Sequence, residues 1–225
     1  MQPDGYPSLD DFAVRSRFDR KLRTFCADYD LTDRSALVVQ ASPADTPIEL
    51  DLADAALRVA LAQGGADAAN SSRSGLQGTA SSLRGSVDGI ACVSGHVPQI
   101  WASELHTDGR LIAGVFDFDR PTGSGNDALI TWDYVDLFAD FGRLAVRVAN
   151  KIDQNAAAWL ISATLQHADC LQYGSKGNRH ANRLSPPLRR RHLEFRVRKC
   201  AGVDGLQRAA GLMAKDFQRA YGELA

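Results

Sequence analysis

The sequence has no long apolar run, no paired-cysteine motif and almost no net charge. No stretch approaches about 18 consecutive apolar residues, so a membrane-spanning helix is not expected. Cys26, Cys92, Cys170 and Cys200 are far apart and form no C-x-x-C pair, which leaves a zinc site without its usual ligands. Free thiols in a cytoplasmic protein are the expectation. Met1-Gln2-Pro3-Asp4-Gly5 has neither a basic nor an apolar leader pattern, so a signal peptide is not expected. Catalytic signatures are scarce too. His96, His106, His167, His180 and His192 show no H-E-x-x-H spacing, and no G-x-S-x-G occurs. Gly75-x-x-Gly78 lacks the lysine of a phosphate-binding loop and does not fit the dinucleotide fingerprint. No catalytic residue, cofactor or metal site is assigned on these grounds.

The formal charge of −1 conceals a separation. Residues 1–150 hold 13 basic and 21 acidic side chains, net −8, whereas residues 151–225 hold 13 basic and 6 acidic, net +7. The positive charge concentrates in Lys176, Arg179, Arg183, Arg189, Arg190, Arg191, Arg196, Arg198 and Lys199, with Glu194 the one acid among them. Such a field attracts polyanions, and a phosphate backbone is the main candidate. The charge split suggests an acidic α+β domain over 1–152 and a basic extension over 153–225 packed on it, or one continuous domain. The alternative role for the basic face is to dock on acidic surfaces, within the chain or on a neighbouring copy.

Apolar periodicity supplies the elements. Phe12, Phe18, Leu22, Phe25 and Tyr29 predict a helix over 9–29, whose other face carries Arg15, Arg17, Arg20, Lys21 and Arg23. These charges read as a solvated face or a second anion-contacting surface. Thr46-Pro47-Ile48-Glu49 reads as a helix start, with an apolar stripe of Ile48, Leu52, Ala55, Ala56, Val59 and Ala60 ending at Gly64-Gly65. Further helices are predicted over 133–152, 156–171 and 204–221. Strands are predicted over 36–40, 97–105, 111–118 and 192–199, the middle two joined by an Asp108-Gly109 turn. The Gly-, Ala- and Ser-rich stretch 64–88 reads as a loop. The resulting expectation is an α+β fold dominated by helices, with a small antiparallel sheet that includes a hairpin at 97–118. In 192–199, Leu193, Phe195 and Val197 point one way, and His192, Glu194, Arg196 and Arg198 the other. The all-apolar 156–171 helix and the small-residue stretch suggest self-association as a homo-oligomer.

Two resemblances add to this. Gln99-Ile100-Trp101-Ala102-Ser103, Asp108 to Pro121 and the helix from Tyr134 to Ile152 resemble the C-terminal half of a GAF domain. The resemblance covers about a quarter of the chain. It implies a small-molecule pocket behind the hairpin, with Trp101, Asp117 and Asp119 as candidate ligand contacts. Ile90-Ala91-Cys92 is similar to the surroundings of a cysteine in a GAF subgroup that reduces free methionine sulfoxide, but its partner cysteines have no counterpart nearby. Phe141, Arg143, Asn150 and Trp159 resemble the central helix of filamentous RNA virus coat proteins, which implies an RNA-packaging role. The composite expectation is a non-enzymatic nucleic-acid binder, regulatory or packaging. RNA is favoured because Tyr173 and Phe195 offer stacking partners.

Overall fold

The computed structural model describes residues 10–44, 48–65, 76–78, 80–86, 88–94, 100–116, 129–130, 132–152, 158–172 and 188–222. Its helices are α1 (Asp10–Asp28), α2 (Ala55–Gln63), α3 (Trp132–Ile152) and α4 (Gly202–Ala220). Its strands are β1 (Ala36–Pro43), β2 (Leu83–Ser86), β3 (Gly89–Val93), β4 (Trp101–His106), β5 (Leu111–Phe116), β6 (Leu129–Ile130), β7 (Ala158–Gln166), β8 (Leu171–Gln172), β9 (His192–Glu194) and β10 (Arg198–Ala201).

The expectation of a helix-dominated fold with a small sheet is overturned. An 8-stranded antiparallel sheet organises the molecule, in the order β10-β7-β1-β5-β4-β3-β2, with β9 also pairing with β7. Strands β6 and β8 form a separate parallel pair. The largest single error is the helix predicted over 156–171, where β7 lies instead. Strand β1 pairs along its whole length with β7, from Ala36 opposite Gln166 to Pro43 opposite Trp159. Trp159, Ile161, Ala163 and Leu165 enter the larger core on one face. Ser162 and Thr164 are buried on the other. A strand covered on both faces reads as a continuous apolar run, and periodicity cannot tell it from a buried helix. Its apolar character is satisfied inside the sheet and needs no second copy of the chain.

Helices cover both faces of the sheet. Leu37 and Val39 of β1, with Leu111, Ala113 and Val115 of β5, meet Phe138 and Phe141 of α3 and Met213 and Phe217 of α4 in the larger core. On the opposite face α1 lays Phe25 over Val38, Ile112 and Phe116. A fully buried phenylalanine contributes about 2–3 kcal/mol, and that anchors α1 although its outer face is charged.

Helix α2 begins later than its sequence suggests. Thr46 and Pro47 lie outside the described residues, and 48–54 is not helical. The Leu50 amide donates to the Thr107 carbonyl (2.8 Å), and Asp51 Oδ1 accepts from the Ala53 amide (2.9 Å), which holds this stretch as a turn. Asp54 is the cap, accepting from the Ala56 amide at 2.6 Å. The buried face is Leu57, Ala60, Leu61 and Ala62, while Val59 of the predicted stripe is 53% exposed.

The end of α2 is as predicted. Gly64 has φ +59°, and a side chain there would strike the Leu76 carbonyl. Arg143 of α3 donates to the Gly65 carbonyl (2.5 Å), and Arg147 donates to those of Gln63 and Gly64. Two arginines thus meet the negative end of the helix. Asp108-Gly109 makes the expected turn, with Gly109 at φ +76° and its amide donating to the His106 carbonyl. The stretch 64–88, expected to be a loop, contains β2 and the buried Leu76 among its described residues.

Candidate nucleic-acid interface

The basic segment is an edge of the sheet. The strand predicted over 192–199 is two short strands, β9 and β10, both paired with β7. Glu194 faces Thr164 and Arg198 faces Ile161. The edge therefore advances four residues while β7 advances three, which is a bulge of one residue. Because strand side chains alternate, one extra residue reverses the facing of all that follows.

This reversal sorts the predicted contacts. Before it, Phe195 enters the core beside Phe138 and Phe217, and Arg196 is exposed toward α1. After it, Cys200 enters that same core, and Arg198 turns to α4 to pair with Asp216 at 2.5 Å. Arg198 thus lies opposite the face that simple alternation assigns to it. Phe195, 8% exposed and held among aromatic rings, is not placed to stack on a base.

Arg189, Arg190, Arg191, Arg196 and Lys199 are all exposed. Arg191 lies 3.5 Å from Asp33, in the turn that follows α1, and near the His167 ring. An exposed pair of this kind is weak and leaves the guanidinium free to exchange partners. Lys176, Arg179, Arg183 and Tyr173 lie outside the described residues, as do Asp117 and Asp119. Trp101, 6% exposed, packs in the larger core.

The two basic stretches of the sequence meet across a cleft of about 700 Å³ between α1 and the sheet edge. Arg15, Asp19 and Arg23, four residues apart along α1, form one wall. Glu194 and Arg196 form the other, and Ser162 and Thr164 of β7 form the floor. The exposed face of α1 was recognisable in the sequence as a possible anion surface. Ser162 and Thr164 were not, because the helical reading of 156–171 concealed their period-two spacing.

A second polar group lies under the other flank of α1. The Tyr29 hydroxyl donates to Glu104 Oε1 at 2.9 Å, and Glu104 lies 3.2 Å from His106. Lys21 reaches both His106 and Asp88. Burial, and then the Glu104 carboxylate, push the Tyr29 hydroxyl well above its ordinary range. Asp28 is pushed up by the same two causes.

Cys26, Cys92 and Cys200 lack the setting of a reactive thiolate. Burial pushes Cys92 and Cys200 up to about 11 each, and raises Cys26 as well. Among the described residues no group of three or more His, Cys, Asp or Glu side chains is placed to hold a metal ion. No described helix is long and apolar enough to cross a membrane. Set against known proteins, the chain matches no family model and no curated sequence.

Proposed function

We propose that this protein binds nucleic acid through the phosphate backbone, without catalysis, using the edge formed by β9 and β10 together with the facing wall of α1. The observation that carries this reading is the convergence of Arg15 and Arg23 with Arg196 around one cleft, continued along the edge by Arg189, Arg190 and Arg191. Arg15 and Arg23 lie more than 160 residues from Arg196 in sequence, yet all three line one cleft. Guanidinium forks suit phosphate oxygens, and several together give a salt-dependent attraction.

Docking of the basic residues on the chain's own acids has specific support at Arg191 and Arg198. Arg191 has Asp33 and Arg198 has Asp216. Arg189, Arg190 and Arg196 have no such acid among the described residues.

The test is fluorescence anisotropy of a labelled single-stranded RNA titrated with the protein across a salt series. Affinity is expected to fall linearly with salt on logarithmic axes, with a slope near −0.7 for each phosphate neutralised, an approximate single-strand value. Changing Arg189, Arg190 and Arg191 together to Ala should flatten that slope. Unaltered binding by this variant would remove the basic edge as the cause. Absence of binding at low salt, with particles growing as protein concentration rises, would favour self-assembly through acidic neighbours.

A further inference from the structure

The cleft beside α1 is not built for a bare anion. Asp19 lies between Arg15 and Arg23 on one wall, and Glu194 lies two residues from Arg196 on the other. Two carboxylates oppose a simple anion, and an interface selected for phosphate alone has no use for them. They do suit a ligand that brings hydroxyl or amine donors beside its phosphate, because an ionised carboxylate only accepts hydrogen bonds.

The floor points the same way. Ser162 and Thr164 are largely buried as residues, at 8% and 9% exposed, and line the base of the cleft. Their two-residue spacing on β7 puts both side chains on the face that lines the cleft. A hydroxyl both donates and accepts, so this floor can meet a phosphate oxygen or a sugar hydroxyl. The volume of about 700 Å³ lies within the range of small-ligand sites and can hold one nucleotide.

We propose that this cleft seats one ribonucleotide unit of a bound strand. The phosphate lies against Arg15, Arg23 and Arg196, and the 2′-hydroxyl donates to Asp19 or Glu194. This rests on the nucleic-acid reading and names the unit recognised within it. The 2′-hydroxyl is the group that separates RNA from DNA at a given site. Preference for RNA would then come from carboxylate acceptors rather than from the stacking that Phe195 cannot provide.

The experiment compares RNA and DNA strands of one sequence in the anisotropy assay, using the full chain. AMP, dAMP and inorganic phosphate serve as competitors. One well-made hydrogen bond predicts about a fivefold preference for RNA, and AMP displacing the strand more effectively than dAMP or phosphate. Glu194→Gln with Asp19→Asn should bring the RNA-to-DNA ratio close to one while leaving DNA binding unchanged or tighter. Both acids are exposed, so the fold should survive, and circular dichroism checks this. Tightening of RNA and DNA by the same factor in this variant would mean that the carboxylates merely repel, and would overturn the proposal. Equal binding of RNA and DNA by the unaltered protein would overturn it alone and leave backbone binding intact. Binding of neither strand would overturn both.

Discussion

Arg196 and Arg198, two residues apart along one edge of the sheet, lie on opposite faces of it. The bulge between β9 and β10 separates them, and their substitutions should separate as well. Arg196→Ala should weaken RNA binding and leave the urea midpoint unchanged. Arg198→Ala should cost about 1 kcal/mol of stability, the scale of a partly exposed ion pair, and leave the salt slope of binding unchanged. Equal effects of the two on binding would mean that the bulge does not sort them.

Glycine positions give a contrast in stability. Gly64→Ala must place a methyl group against the Leu76 carbonyl in a backbone conformation with φ +59°. A loss of more than about 3 kcal/mol is expected, read by denaturant unfolding. Gly211, inside α4, has nothing within 4 Å of an added Cβ. Gly211→Ala should therefore stabilise by about 0.5–1 kcal/mol through helix propensity alone. A stabilised Gly64→Ala variant would be incompatible with the close approach at that turn.

Arg143 and Arg147 of α3 test whether partly exposed basic residues outside the cleft serve the fold rather than binding. Both donate to carbonyls at the end of α2. Arg147→Ala should cost about 1–2 kcal/mol, a charge-assisted bond at a partly exposed position, with no change in RNA affinity. Weakened RNA binding at unchanged stability would move Arg147 into the interface.

Stability should decline in alkali. Burial raises Cys92 and Cys200 from the ordinary thiol value of 9.0 to about 11 in the folded chain. Each raised value favours the fold fully below the unfolded value, and that advantage is lost as pH rises toward 11. At about pH 10 each thiol should cost about 1.4 kcal/mol relative to neutral pH. Urea midpoints at the two pH values, for the unaltered chain and for a Cys92→Ala, Cys200→Ala variant, isolate the effect. An equally steep decline in the double variant would assign it to other groups.

Amphipathic helices were the most legible part of the sequence. Phe18, Phe25 and Leu22 of α1, and Leu137, Phe138, Phe141 and Leu144 of α3, keep the helical period because each helix buries only one side. The hairpin around Asp108-Gly109 was equally legible, since local turn chemistry fixes it. The sheet centre was not. Strand β7 is buried along both faces and opens with the apolar run from Ala158 to Ile161. This run masks the alternation of Ser162 and Thr164 with Ala163 and Leu165, and β3 is only five residues long. Half of the candidate site followed from charge alone, namely Arg196 and the arginines of α1. The floor required knowing that Ser162 and Thr164 lie on a strand, and the facing of Arg198 depended on a bulge that no local pattern announces.

The place of β1 carries a consequence for how the chain is made. Its two neighbours are β5 and β7, so Ala36 must await both Phe116 and Gln166. During synthesis β1 has neither partner until β5 emerges at residue 116, and lacks β7 until residue 166. Contacts of such long reach slow folding and prolong the exposure of unpaired strands. Refolding in milliseconds to seconds rather than microseconds is the expected signature. A chain truncated before residue 158 should leave one side of β1 open, a ready template for aggregation.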